Sequence, residues 1–247
     1  KDVAYFVGSC LSGPDCERQE DALLAVYFAA LREHLPVGVN AAALEAEWRS
    51  LYPVAWADFE RFMMGWSPGH QKRTGYSDAT TKQAIDAIAT ELLCAARDAC
   101  RAAGAFIMAN RHRPIGVASK GFESRASDVV TEIDVAAQAV IMDRLQRSIE
   151  RYDLGVLAEE GDHDDSRLRK HAFWAVDPLD GTQCFIEGQS GFATSIALVS
   201  QEGEPVLGVV YDPVNDRMYE VVRGAGVTMN GQLLGGVEPQ PVPRQTV

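Results

Sequence analysis

The sequence predicts an α+β or layered α/β fold preceded by a helical segment, and three observations carry that prediction. Apolar residues recur at helical spacing over most of the first 150 residues, and five short strand-like runs then occupy residues 154–222. No internal repeat relates the two parts. At 247 residues the chain is long enough to bury a sizeable core in one or two domains.

The elements follow in order. The run "DALLAVYFAALREHL" (21–35) places Leu24, Tyr27, Phe28 and Leu31 on one helical face. A second helix is expected over 40–52, with Asn40 as its N-cap, and a third over 54–66. "SPGHQKRTGYSD" (67–78) has no period and marks the expected boundary between a 1–75 helical segment and a 76–247 domain. A long helix from about 80 to 109 carries Ile85, Ile88, Leu92, Ala95, Ala99, Ala103, Phe106 and Ile107 on one face. Polar residues 109–128 form a loop or hairpin, and a helix over about 133–150 buries Val140, Ile141, Leu145 and Ile149. The strand-like runs are 154–158, 173–177, 193–200, 205–211 and 217–222, which look antiparallel, and Asn230-Gly231 signals a hairpin.

Composition limits the function classes. A formal charge of -12 argues against a nucleic-acid polymer or an anionic membrane as partner, although a bound cation inverts the local field for a phosphate substrate. No window approaches a membrane-spanning run. The five cysteines form no CxxC pair and read as reduced thiols of a cytoplasmic protein. The N-terminus has neither an initiator Met nor the layout of a signal peptide, so the sequence reads as a fragment.

Acids gather at element ends. Asp134 opens the helix after "SDVVTEID", Glu159 and Glu160 follow the strand 154–158, and Asp177 and Asp180 follow the strand 173–177 in "WAVDPLDGT". Strand ends in a helix-covered sheet converge on a shared crevice, where carboxylates repel unless a cation lies between them. Hard oxygen donors of this kind suit Mg2+. Pro178 directs the Leu179 carbonyl rather than its side chain, and Gly181 permits close backbone approach. The Gly181 and Thr182 amides face an anion if a turn or helix starts there, and the Thr182 hydroxyl holds a water with Asp134 as its base. Asp-Pro and Asp-Gly are also common turn dipeptides, so spacing alone leaves a strand-ending turn and a metal site equally open.

"DVVTEID" (128–134), "LAEEG" (157–161) and "WAVDPLDGTQCFI" (174–186), followed by "GVVYDPVNDRMYEVVRGAGVTMNGQLL" (208–234), resemble the successive motifs of the inositol monophosphatase superfamily. The resemblance covers about residues 82–236. It implies a sugar-phosphatase-like stack of helix and antiparallel sheet layers and a lithium-sensitive, Mg2+-dependent phosphomonoesterase, usually dimeric, acting on a small phosphorylated metabolite. It further implies that Glu159 binds metal, Asp177 bridges ions, and the Leu179 carbonyl and Asp180 complete the ligands present, two or three Mg2+ ions being held. Asp134 and Thr182 would activate the water, while Gly181 and Thr182 hold the phosphate. The family's last ligand lies in a Trp-Asp motif, and none of Trp48, Trp56, Trp66 or Trp174 precedes an Asp. The C-terminal half of the fold is therefore incomplete here. "PLDGT..FI" with "GEPVLGVVYDPV" is more similar to the 3′(2′),5′-bisphosphate nucleotidase branch.

Residues 1–75 carry a fainter resemblance, through "DVAYFVGSCL" and "FMMGWSPGHQKRTGY", to the end of the helical lobe of aminoglycoside phosphotransferase-like kinases. Two alternatives to a phosphatase follow: a catalytically incomplete fusion acting as an interaction protein, and a phosphotransferase. Lys120 is a weaker candidate for the phosphate side, and Cys184 reads as a semi-buried thiol beside the site. "DHDD" (162–165) reads as a solvated loop, and the scattered histidines form no HxxxH pair.

Overall fold

The computed structural model describes residues 2–67, 74–111, 132–161 and 165–235, together with the backbone of 117–119 and 129–131. Lys120, His70, His112, His163, most of the "DHDD" run and the Pro-rich tail lie outside the described residues. The chain divides into two compact units, Lys1–Thr90 and Glu91–Val247.

In the first unit, helix α1 spans Asp2–Cys10 and α2 spans Gly13–Arg32, while α3 spans Ala41–Trp66. The start of α4, Gly75–Asn110, completes the unit. Ser12 and Asn40 cap α2 and α3; the Asn40 carbonyl oxygen accepts the Ala43 N–H at 3.1 Å. The expected helices 40–52 and 54–66 are one helix, with Pro53 inside it. A proline there removes a helical hydrogen bond. Burial of Tyr52, Trp56, Phe59 and Met63 on one side of it offsets the loss by packing against Val7, Leu24 and Phe28.

The second unit holds the sheet. β1 (Val117–Ser119) and β2 (Val129–Thr131) pair antiparallel, as a hairpin requires. Helix α5 spans Glu132–Tyr152. A seven-stranded sheet follows in chain order: β3 (Gly155–Ala158), β4 (Ala172–Asp180), β5 (Ala193–Ser200), β6 (Pro205–Asp212), β7 (Arg217–Val222), β8 (Gly226–Met229) and β9 (Gln232–Leu233). A short helix α6, Thr182–Ile186, leaves β4. The turn from β8 to β9 places Asn230 at φ 49° and Gly231 at φ 79°, the left-handed pair that a tight hairpin needs.

Two differences from the sequence pattern matter. Every neighbour pair in the sheet is antiparallel except β3–β4, which is parallel. Also, on α4 the expected Leu92, Ala99, Ala103 and Ile107 are buried, but Ile85 is exposed, and Ala84, Ala96 and Cys100 are buried beside them. Apolar spacing does not choose between adjacent stripes of an alanine-rich helix.

Alternation then decides which sheet face is covered. Ile196 and Leu198 of β5, Leu207 and Val209 of β6 and Met218 of β7 are buried. Helix α4 lies over them, with Arg97 paired to Glu220 of β7 and Gly104 against the Tyr211 ring of β6. Trp174 of β4, fully buried, donates its indole N–H to Ser148 of α5 at 3.1 Å. On the opposite face Val210 and Val221 are exposed.

Candidate active site

The parallel pairing of β3 with β4 creates the site. Ala158 lies opposite Val176, and the Glu159 N–H continues the ladder by donating to the Val176 carbonyl at 3.1 Å. β4 runs on to Asp180, past the expected end at 177, so Glu159, just after β3, and Asp177, within β4, lie side by side. An antiparallel pair would have sent them to opposite edges.

A bulge brings Asp180 to the same place. Asp177 pairs with Ser195 and Asp180 with Ala193, so three steps along β4 match two along β5. In a regular strand, residues three apart face opposite ways; the extra residue cancels that inversion. Pro178 suits the bulge because it has no N–H to place, and its carbonyl accepts the Thr194 hydroxyl at 3.0 Å. The Leu179 side chain is buried, leaving its carbonyl as the group it offers. That carbonyl accepts the Thr182 hydroxyl proton at 2.9 Å and keeps a second lone pair. Thr182 can then meet a water only as an acceptor in this geometry.

Gly181 precedes α6 with φ 86° and ψ 33°. A Cβ there would lie 2.6 Å from the Gly191 carbonyl oxygen and 3.1 Å from Phe192 Cα. Both the conformation and the close approach demand glycine. Together Glu159, Asp177, Leu179, Asp180, Gly181, Thr182 and Gln183 line one cleft of about 260 Å³.

The electrostatics of the cleft are unfavourable without a cation. Burial, first, then the hydrogen-bonding and like-charged Glu159 carboxyl and the nearby Asp180 push the Asp177 carboxyl well above the usual carboxylate range; a Leu179 backbone hydrogen bond opposes this. Asp177 Oδ1 is buried and, among the described residues, has no hydrogen-bond partner. A buried, orphaned carboxylate oxygen beside a second acid is the donor set a hard divalent cation satisfies. The set is partial: among the described residues, no three His, Cys, Asp or Glu side chains converge closely enough to cage an ion.

Asp134 lies in the first turn of α5 and is buried, at the helix end where a carboxylate is favoured. It does not belong to the lining of the cleft, which brings together the other six expected residues. Besides Gln183 of the cleft lining, two contributors escaped sequence reasoning. Gln138, one turn after Asp134 on α5, pins the end of β3: its Nε2 donates to the Glu160 carbonyl at 2.6 Å and its Oε1 accepts the Glu160 N–H at 2.8 Å. The i,i+4 spacing from Asp134 was its available signal. Arg111 reaches the loop after α6, donating to the Gly188 and Gln189 carbonyls at 2.8 and 3.0 Å. Nothing local in the sequence announces a contact across 77 residues.

Comparison with known proteins matches this arrangement to one family. The sequence model of the "Inositol monophosphatase family" matches residues 89–246, well over half of the chain. The chain is 34% identical over 141 residues to the inositol-1-monophosphatase of Bacillus subtilis (strain 168), covering 57% of this chain and 51% of that protein. It is 43% identical over 114 residues to the 3'(2'),5'-bisphosphate nucleotidase CysQ of Shigella flexneri, covering 45% and 43%. Among solved structures, the extragenic suppressor protein suhB of Bartonella henselae superimposes with a TM-score of 0.50 at 32% identity, covering 58% of this chain and 52% of that one. The chain thus spans about half the length of the relatives it matches.

Proposed function

Because this chain belongs to the inositol monophosphatase family, we propose that its second unit carries the Mg2+-holding half of a phosphomonoesterase site for a small phosphorylated metabolite. The observation that carries the reading is the buried, unpartnered Asp177 Oδ1 beside Glu159. Glu159, Asp177, Asp180 and the Leu179 carbonyl would hold the cation. Bound Mg2+ supplies charge neutralisation for the phosphate and for the attacking and leaving oxygens.

The remaining steps belong to the chain's own residues. The Gly181 and Thr182 amides, at the opening of α6, orient the phosphoryl oxygens. Thr182 Oγ1, whose hydroxyl donates a hydrogen bond to the Leu179 carbonyl, accepts one from the water that attacks phosphorus. Asp134 takes the proton this water releases, and the leaving ester oxygen takes a proton from solvent as the P–O bond breaks. Inositol phosphates and nucleoside 3′,5′-bisphosphates are the substrate classes we favour, supported by the names of the Bacillus and Shigella relatives. We place the protein in the cytoplasm and infer dimerisation and lithium sensitivity from the same family membership.

The test is phosphate release from adenosine 3′,5′-bisphosphate and from inositol 1-phosphate with Mg2+, with and without Li+. Asp177→Asn should lower any activity by about a hundredfold or more, more than loss of a residue that only orients a metal ligand. If neither ester is hydrolysed and Asp177→Asn changes no Mg2+ binding, the reading fails.

A second reading, a non-catalytic interaction protein, is favoured by the partial donor set. Calorimetry separates the two, since Mg2+ binding absent below millimolar concentration favours the second. The first 88 residues lie outside the family match. The kinase-lobe resemblance lies within them, over residues 1–75, and a clear positive in a direct ATP-binding assay would revive the phosphotransferase alternative.

A further inference from the structure

We propose that Arg111 is a positioning residue that holds the phosphate-side turn Gly181–Thr182 in its working geometry by clamping the loop between α6 and β5. This rests on the phosphomonoesterase reading above. Arg111 directly follows α4, whose last turn carries no other basic residue. A cation there is favoured by the helix carbonyls. From this position one guanidinium nitrogen bridges two consecutive carbonyls, Gly188 at 2.8 Å and Gln189 at 3.0 Å, and the guanidinium carbon lies 5.3 Å from the Phe192 ring centroid.

The clamp is connected to the turn on two sides. Phe192 is buried and stands edge-on to Phe185 of α6, with ring centroids 5.3 Å apart and planes at 87°. The loop also returns hydrogen bonds to α6: Gly188 N–H donates to the Phe185 carbonyl at 3.0 Å and Gln189 N–H to the Cys184 carbonyl at 2.8 Å. On the other side, the Gly191 carbonyl fills the space where a Gly181 Cβ would sit, at 2.6 Å. The backbone that orients the Gly181 and Thr182 amides is therefore wedged against a loop whose outer edge is held by one arginine. Two adjacent carbonyls and an aromatic face suit a planar guanidinium; an ammonium engages them less completely.

The acids depend on something else. Glu159 and Asp177 are placed by the register of β3 on β4, which Arg111 does not touch. Loss of the clamp should therefore separate phosphate binding from Mg2+ binding, a separation that a general loss of stability does not produce.

The experiment compares the full chain with Arg111→Ala and Arg111→Lys. Amide hydrogen exchange is read at Phe185, Gly188 and Gln189, and binding of Mg2+, then of inorganic phosphate in its presence, is measured by calorimetry. In Arg111→Ala the three amides should exchange about tenfold faster and phosphate affinity should fall about tenfold, as loss of charge-assisted hydrogen bonds requires. Mg2+ affinity should be unchanged, and Arg111→Lys should recover part of both losses. Unchanged exchange in Arg111→Ala, or unchanged phosphate affinity with only a lower Tm, overturns the proposal. A parent chain that binds neither Mg2+ nor phosphate defeats the phosphatase reading instead. The exchange rates then still decide whether Arg111 clamps the turn.

Discussion

Asp177 and Gly181 show function and stability pulling in different directions at single residues. Asp177 is held half-buried against other acids with one oxygen orphaned, so its charge destabilises the metal-free fold. Asp177→Asn should leave the metal-free Tm unchanged or raise it, while removing Mg2+ binding; a clear drop in Tm would mean the carboxylate is structurally required. Gly181 behaves oppositely. Gly181→Ala forces a Cβ into the left-handed region and onto the Gly191 carbonyl, and should cost about 2 kcal/mol or more by denaturant unfolding. A loss near zero would mean that this turn rearranges freely. The identities of both residues were plain in the sequence. Their cleft was not, because the face a side chain takes depends on the bulge at Pro178 and Leu179.

Among elements, the register of β4 governs the site and the packing of α4 governs the sheet. Gly104 illustrates the second. Alanine is favoured over glycine inside a helix by about 1 kcal/mol. At this position its Cβ would lie 2.6 Å from Tyr211 Cε1 and 3.1 Å from Pro213 Cβ. Overpacking of this kind costs about 1–3 kcal/mol, so Gly104→Ala should be destabilising despite the propensity gain. Thermal melts would show this as a lowered Tm, and a raised one would mean that the Tyr211 ring yields to the added methyl group. The strands of the sheet were legible from alternation to within a few residues. The parallel sense of β3 on β4 was not, since alternation is the same for either direction.

For the whole molecule, the acids and the turn lie within one compact unit, Glu91–Val247, with α4 running into it from Gly75. A chain of residues 75–247 is therefore expected to unfold cooperatively and to bind Mg2+ as tightly as the full chain. Weaker binding by that fragment would show that residues 2–67 support the site. The acidic character of the protein, with a formal charge of -12, makes such affinities dependent on ionic strength, so both chains must be compared at one salt concentration.

The sequence by itself determined the chemistry on offer. Acids at the ends of two strands, a proline and a glycine around one carbonyl, and a threonine after it specify oxygen donors and a tight turn wherever the chain takes them. Local periodicity and capping also determined most of the helices, Asn40 at α3 among them. Only the tertiary structure decided that Glu159, after β3, and Asp177, within the parallel β4, stand side by side, and that a bulge turns Asp180 toward them. It also brought Arg111 to the loop behind Gly181. The physical reason is range. Propensity, capping and spacing act within a few residues, whereas strand direction, register and long-range contacts are chosen by how the whole sheet buries its apolar face.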